Sequence, residues 1–334
     1  MSSMTDAGSD AINRHAGAGI KVLVTGASGF IGGHLLPHLL MQGFIVTTLS
    51  RRADAAPALR GPGLRVLTAN LDQPATLAAA CAGQDLIIHL AGQAHVIHSQ
   101  PRQLWDSNVD GTGRLLTAAI AADVKKFVFI SSVKAATPRS HYGNSKLAAE
   151  KLLLAAHQAG RIQVCCLRPT AVYGAGMKGN LRAWMKLQQK GLAPPLPPHA
   201  GRLEMIGVDD LCEAIIKAAT TPACYGRVYT LSDGRIYRLK AIEDALRASL
   251  GKARKRWYLP QFMYYIAAGL GELLARGTGL NSGFGWNSYH TLFDDDCHAG
   301  DDFAQATGFR ASTSFYDELP TLQAGMTGVS PTRE

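Results

Sequence analysis

The sequence predicts an α/β fold: a doubly wound parallel sheet followed by a smaller α/β portion. Three observations point to it. Short β-branched and aliphatic runs alternate with helical apolar patterns from residue 20 to about 170, as strands do when crossover helices cover both faces of a parallel sheet. The first run, Ile20 to Thr25, stops at glycines 26, 29 and 32 before a helical pattern begins. After Gly174 the rhythm gives way to glycines, a proline-rich loop and helices with only short strands between them. At 334 residues the chain has room for one large unit or two domains.

Residues 1–19 are rich in Ser, Gly, Ala and Asp and read as a flexible tail. Asp6 and Asp10, with no apolar core, do not read as a signal peptide. The first helix carries Pro37, whose ring opposes the carbonyl of Gly33, so a kink is expected there rather than a break. Gly43 ends that helix, and Phe44–Leu49 is a second buried strand. Leu64–Ala69 reads as strand three, and a short helix begins near Pro74. Asp85–Leu90 is strand four, closing on Ala91-Gly92. Two helical stretches, 100–108 and 110–122, follow with Asn108 near their junction. Lys126–Ile130 is strand five and ends in Ser131-Ser132. Residues 142–159 are helical, and Ile162–Leu167 is strand six, stopped by Arg168-Pro169. Beyond Gly174, helices are expected at about 180–190, 208–219, 239–250 and 261–276, a strand at Val228–Leu231, and short helices in 297–325. Pro194–Pro198 reads as a stiff loop.

Strand, glycine turn and helix in that order suit a bound dinucleotide. Gly26 permits the tight turn, Gly29 lets backbone N–H groups approach a pyrophosphate, and Gly32 lets the helix pack close to the strand. The helix N-terminus adds unpaired N–H donors and the positive end of its dipole. The end of strand two sets the dinucleotide type. An acid there would hold a ribose 2′-hydroxyl, whereas this chain has Ser50-Arg51-Arg52, with Asp54 the nearest acid. An arginine such as Arg51 suits the extra phosphate of NADP; two solvated loop arginines are the plainer alternative. The small Ala91-Gly92 turn can lie against a ribose.

Tyr142 and Lys146 are four apart on a predicted helix and so share one face. A lysine ammonium near a phenol favours the phenolate and lowers its pKa, making the tyrosine a candidate acid/base for a hydroxyl proton. Ser132, at the end of the preceding strand, can hydrogen-bond the same substrate oxygen.

These stretches together resemble the extended short-chain dehydrogenase/reductases of the nucleotide-sugar, UDP-glucose 4-epimerase-like epimerase/dehydratase family. The matching segments are Thr25–Gly32, His89–Gly92, Asn108–Thr112, Phe129–Ser132, Tyr142–Lys146, Leu167–Gly174 and Gly207–Leu211, covering about residues 20–215. The resemblance implies a Rossmann-type domain at 20–174 with returning segments at about 203–231, and a substrate-binding cap made of 175–202 and 232–334. It implies that Gly26, Ser28, Gly29, Phe30, Ile31 and Gly32 hold the pyrophosphate region and that Asn70 and Leu71 meet adenine. Leu90, Ala91 and Gly92 would line the ribose and Pro169 would flank the nicotinamide. Tyr142 would be the acid/base, Lys146 the ribose ligand and Ser132 the orienting hydroxyl. Ser132, Lys134, Asn180 and Arg202 are the implied substrate ligands.

Three departures bear on the reaction. Only nine residues separate Ser132 from Tyr142, shorter than is usual for sugar-nucleotide epimerases. Where such enzymes often carry a phosphate-gripping arginine, this chain has Leu203, with Arg202 one place off. Arg51-Arg52 replaces the NAD-type acid. The expected function is a nicotinamide-dependent epimerase of a nucleotide- or polyprenyl-diphosphate-linked sugar, acting through a keto-sugar. An NADPH-dependent carbonyl reductase using the same three residues is the alternative, and a non-catalytic dinucleotide-binding subunit is a third. The cofactor is NAD for an epimerase, while Arg51 and Arg52 favour NADP. The resemblance also implies a homodimer formed through helices beside the Tyr–Lys helix.

The remaining composition adds exclusions. The formal charge of +9 is dispersed, apart from the run Lys252-Ala-Arg-Lys-Arg256 and a few pairs. No domain-scale basic stripe with interleaved aromatics argues for nucleic acid. The six cysteines, Cys81, Cys165, Cys166, Cys212, Cys224 and Cys297, form no C-x-x-C pair, so a reduced, cytoplasmic setting is expected. No apolar run reaches the ~18–20 residues that span a bilayer, and Phe262–Leu274 reads as a packed helix. His34 and His38 lack the intervening glutamate of a zinc-protease helix, and His89, His95 and His98 do not form a ligand set, so no metal is expected. Asp294–Asp296 reads as a solvated acidic turn, His38 as solvent-facing and His141 as a loop histidine.

Overall fold

The structure is a computed structural model, and it describes residues 16–50, 63–93, 101–278, 284–298 and 300–327. Arg51, Arg52, Asp54, His95 and His98, and most of the expected tail, lie outside the described residues.

The chain begins β1 (Lys21–Thr25), α1 (Phe30–Met41), β2 (Ile45–Ser50), β3 (Leu64–Thr68), α2 (Pro74–Cys81) and β4 (Leu86–His89). Then come α3 (Pro101–Trp105), a π-helical turn (Asp106–Asp110), α4 (Gly111–Ala121), β5 (Lys126–Ile130), a 3₁₀ turn (Val133–Ala135), α5 (His141–Gln158) and β6 (Gln163–Pro169). The second half runs β7 (Ala171–Tyr173), α6 (Asn180–Gln189), β8 (Arg202–Gly207), α7 (Val208–Thr220), β9 (Val228–Leu231), β10 (Ile236–Arg238) and α8 (Leu239–Ser249). It closes with α9 (Gln261–Thr278), α10 (Trp286–Phe293), α11 (Asp302–Thr307) and α12 (Phe315–Thr327).

Seven strands form one sheet in the order β3-β2-β1-β4-β5-β6-β9, every pairing parallel. The expected parallel sheet is therefore present, with β4 at its centre and the apolar run that precedes the glycine turn beside it. On one face Leu23, Ile87, Phe127, Phe129 and Val164 pack against Leu77, Leu115, Leu116, Ala149 and Leu153 from α2, α4 and α5. Burying side chains of this size contributes about 1.5–3 kcal/mol each. On α1, His34 and His38 both bond Asp209 in the first turn of α7, at 3.1 and 3.3 Å. His38 is thus half-buried and partnered rather than simply solvent-facing. Pro37 leaves α1 unbroken.

Two local readings change. The expected pair of helices at 100–108 and 110–122 is one unbroken run from Pro101 to Ala121, because a π turn absorbs the junction. Such a turn widens the helix locally, and here it carries Asn108, which is 1% exposed. Strand six does not stop at Arg168-Pro169; both pair with β9, Arg168 opposite Thr230 and Pro169 opposite Leu231. Proline is tolerated because the donor to Leu231 O is the N–H of Thr170, at 3.0 Å, so the missing N–H of Pro169 costs the pairing with β9 no bond.

The chain divides into two compact units. The first draws on Met1–Thr170, Val208–Leu231 and Gly300–Arg310, the second on Ala171–Gly207, Ser232–Ala299 and Ala311–Glu334. These boundaries differ from those read from the sequence. Residues 203–207 leave the large sheet because β8 pairs with β7 and β10 in a separate three-stranded sheet. Segment 300–310 joins the first unit because Phe303 of α11 packs edge-on against Tyr229 of β9. In the second unit, Tyr173 and Tyr237 both donate to Asp233, and the rings of both meet Phe315. Helix α9 packs only one face, through Tyr264 and Ala268, and leaves the other exposed. It is not the fully packed helix its composition suggests.

Candidate active site

The first unit gathers most of the expected site. Because the strands are parallel, the turns after β1, β3, β4, β5 and β6 all leave the same edge of the sheet, where open α/β sheets bind ligands. Gly26–Gly32, Asn70-Leu71, Leu90–Gly92, Ser131-Ser132 and Pro169 are those strand ends.

The glycine turn is shaped by close approach. Gly26 has φ +77°, and a Cβ there would stand 2.7 Å from the Ala91 backbone nitrogen. A Cβ on Gly32 would meet the Gly26 carbonyl oxygen at 2.5 Å. The turn closes through the Gly29 N–H donating to Gly26 O at 2.9 Å. Helix α1 starts on Gly29 with no side-chain cap and no acid in its first turn, so its first N–H groups have no intrahelical acceptor. Ser28 lies exposed on the turn, and Phe30 and Ile31 open the helix half-buried. This cradle fits a pyrophosphate. Beyond β3, the Leu71 carbonyl accepts from Arg114 Nε at 2.7 Å, and Arg114 also pairs with Asp72. Arg114 of α4 thus fixes the loop carrying Asn70 and Leu71, a role the sequence did not disclose.

At the end of β5, Ser132 caps the 3₁₀ turn by accepting from the Lys134 N–H. The side chain of Lys134 is exposed. Helix α5 begins on Ser140, whose Oγ accepts from the Gly143 N–H at 3.1 Å. Gly143 lets its first turn press on the strand exit: a Cβ there would meet the Lys134 carbonyl oxygen at 2.3 Å. The Tyr142 phenol consequently lies near enough to the Ser132 hydroxyl to feel it. Burial pushes the Tyr142 phenol up and the Ser132 hydroxyl pulls it down, the burial being larger.

Lys146, one turn further, is buried. Its ammonium donates to the Ile130 carbonyl at 2.9 Å and lies 4.7 Å from the centre of the Phe129 ring. Burial draws its pKa down to about 8, opposed by the nearby charge of Glu150. The expectation that Lys146 lowers the Tyr142 pKa is not met: its ammonium is aimed at a carbonyl and a ring, and desolvation governs the phenol instead. Glu150 is itself held by a two-pronged pair with Arg168 of β6.

A buried relay, also undisclosed by the sequence, ties the glycine turn to α5. Thr112 gives its hydroxyl hydrogen to Asn108 O at 2.7 Å, so it must accept from His89 Nε2 at 3.0 Å. His89 Nδ1 is then the acceptor for the Thr25 hydroxyl at 2.6 Å. The Thr25 oxygen in turn accepts from the Ala91 N–H at 3.3 Å. Burial and the Lys146 charge bring His89 down to about 3, which keeps it neutral. The Asn108 side chain clamps Gln93 through both its backbone groups and donates to Ser145 Oγ at 3.0 Å. Ser145 donates to the Tyr142 carbonyl at 2.8 Å. The family-like stretch Asn108–Thr112 was the available signal, but spacing alone assigned it no contacts.

Asn180 and Arg202 belong to the second unit. Asn180 is the exposed first residue of α6. Arg202 opens β8 and is gripped by Asp295, at 2.6 Å from Nη2 and 3.0 Å from Nε. The acidic turn 294–296 is therefore partly a counter-ion for Arg202 and not simply solvated. Among the described residues no group of three His, Cys, Asp or Glu stands together as a metal site.

The comparisons with known proteins agree with this geometry. Residues 22–231 match the family model described as NAD dependent epimerase/dehydratase family. The chain is 28% identical over 264 residues to a UDP-glucose 4-epimerase of Vibrio cholerae, across 72% of this chain and 78% of that one. It is 32% identical over 204 residues to a ceramide reductase of Caulobacter vibrioides, across 60% of this chain and 61% of the relative, less than two thirds of either. The crystal structure of a dTDP-glucose 4,6-dehydratase from Streptomyces venezuelae, with NAD bound, aligns at a TM-score of 0.72 and 22% identity, over 92% of this chain and 97% of that one. At that identity the likeness concerns the fold.

Proposed function

The chain belongs to the NAD dependent epimerase/dehydratase family, and from that premise we propose that it epimerises a nucleotide- or polyprenyl-diphosphate-linked sugar through a keto-sugar intermediate. It is an NAD(P)-dependent enzyme of the short-chain dehydrogenase/reductase superfamily. The observation that carries the reading is the placing of Ser132 beside Tyr142 one helical turn from buried Lys146, in the same unit as the glycine cradle.

Gly26, Gly29 and Gly32 would hold the pyrophosphate, Asn70 and Leu71 the adenine, Ala91 and Gly92 a ribose, and Pro169 the nicotinamide side. When bound, the nicotinamide supplies reversible hydride acceptance and return. Tyr142 Oη takes the proton of the sugar hydroxyl as that carbon becomes a carbonyl, and gives it back when the alcohol re-forms. Ser132 Oγ orients the same oxygen. Lys146 would hold the ribose hydroxyls. Lys134, Asn180 and Arg202 are proposed sugar or diphosphate contacts.

The test is Tyr142→Phe measured on nucleotide-sugar epimerisation, with mass spectrometry of the dinucleotide released from native protein. Loss of epimerisation with the dinucleotide retained supports the reading. Protein without a dinucleotide, whose epimerisation Tyr142→Phe leaves intact, sinks it. The ceramide reductase relative and the Arg51-Arg52 pair favour a second reading, net carbonyl reduction with NADPH. Stoichiometric NADPH consumption separates that reading from an epimerase, which shows no net redox. We also propose a homodimer through the helices beside α5, where Trp105 of α3 and Leu152 of α5 are exposed, and a reducing, cytoplasmic setting for the six free cysteines. Sedimentation and thiol titration test these two points.

A further inference from the structure

Helix α9 presents an apolar face to solvent. Phe262, Ile266, Leu270 and Leu273 recur at helical spacing and are 62%, 54%, 57% and 68% exposed. This is not a loosely held helix. Its opposite face is seated through Tyr264, whose hydroxyl donates to the Pro194 and Pro195 carbonyls at 3.2 Å, and through Ala268, which is 0% exposed. Gln261 adds a bond to the Tyr289 hydroxyl at 2.9 Å. The chain enters α9 through Trp257 and Tyr258, both exposed, and no charged residue interrupts 257–271.

Directly before the two aromatics stands the basic run Lys252-Ala-Arg-Lys-Arg256. Arg254 and Arg256 are exposed, and the Lys255 ammonium lies 5.4 Å from the centre of the Trp257 ring. From 252 to 278 there are five basic residues and one acid, Glu272. A cationic rim, interfacial Trp and Tyr, and a wide apolar helix face are the parts of a segment that lies in a bilayer interface. No helix among the described residues is long and apolar enough to cross a membrane.

We propose that α9 and the 252–258 segment seat this protein on the surface of an anionic lipid bilayer. The apolar face enters the acyl boundary, and Arg254 and Arg256 meet the headgroups. A second copy is the weaker occupant, because a symmetric pairing of this face brings two segments with the same cationic excess together. A leaflet of acidic lipids supplies the opposite charge. The inference rests on this surface alone and is independent of the reaction proposed above.

Vesicle flotation of the full chain tests it, using phosphatidylcholine vesicles with and without phosphatidylglycerol, at low and high salt. Binding is expected to the phosphatidylglycerol vesicles and to weaken with salt. Arg254→Ala with Arg256→Ala should reduce partitioning by about twenty-fivefold, each basic residue supplying about fivefold. Ile266→Glu with Leu270→Glu should bring flotation to background while the thermal melt, dinucleotide binding and sedimentation coefficient stay unchanged. The proposal is overturned if wild-type protein does not float, or floats equally on neutral lipid regardless of salt. It is also overturned if the Ile266/Leu270 variant turns an oligomer into a monomer, which makes the face a contact between copies.

Discussion

The ammonium of Lys146 lies against Gly92: a Cβ on that glycine would stand 3.1 Å from Nζ and 3.1 Å from Asn108 Oδ1. The turn after β4 is thus a wall of the lysine's site, where even a methyl group would push on the ammonium. Gly92→Ala should displace the ammonium without touching the core. Misplacements of this kind cost about tenfold to a hundredfold in rate. The expected result is a fall of that order in kcat/KM with a nearly unchanged melting temperature. Unchanged kinetics would separate Lys146 from the reaction.

Lys146 also predicts a pH dependence of dinucleotide affinity. Its pKa is lowered from 10.5 to about 8, so the ammonium is lost as pH rises past 8. If that ammonium holds a ribose, affinity should be flat up to about pH 8 and then fall by at most about tenfold per unit. Fluorescence titration with NAD at several pH values reads this, and Lys146→Met should be weaker throughout and flat. Folding stability moves the other way. Between pH 8 and 10.5 the unfolded chain binds the proton more strongly, so the cost of burying this charge fades as pH rises.

His89 predicts acid lability. Its folded pKa is depressed from 6.5 to about 3, so the unfolded state takes up the proton first. The contribution is complete above 6.5 and is lost as pH falls toward 3, by up to about 1.4 kcal/mol per unit. Urea unfolding across this range should show that slope. His89→Gln, less stable at neutral pH, should show a shallower one; an equal slope in both would place the lability elsewhere.

Glu150 and Arg168 form a pair whose carboxylate side chain is 1% exposed and whose guanidinium side is 18% exposed. Removing one partner of such a pair strands a buried charge, at about 3–5 kcal/mol. Arg168→Met should lower stability by that amount in chemical denaturation. Adding Glu150→Gln should recover much of the loss, since the stranded charge is then gone. No recovery would mean that Arg168 acts through packing.

What was legible in the sequence was local. Gly26, Gly29 and Gly32, and Tyr142 with Lys146, are each confined to a few residues of one strand–turn–helix or one helix, where spacing alone fixes which groups share a face. The Thr25–His89–Thr112 relay joins residues 64 and 23 positions apart, and no periodicity announces such contacts. The partner of Arg202, Asp295, stands 93 positions away, and no spacing points to it. Strands β7 and β10 are three residues each, too short to show alternation, and only pairing with β8 defines them. For α9 the composition revealed an apolar helix; which side found a partner depended on Pro194 and Pro195 meeting Tyr264.

The first unit is written in three separated stretches of chain and the second in the three that alternate with them. The polypeptide therefore passes from one to the other five times, at 170/171, 207/208, 231/232, 299/300 and 310/311. Neither unit corresponds to an uninterrupted length of gene. A cut at 207/208, 231/232 or 299/300 leaves both units with a missing piece: ending the chain at 299, for example, deprives β9 of the Phe303 ring that covers Tyr229. The residues of the two units are thus inherited and translated as one interleaved message, and no single crossover exchanges either unit by itself.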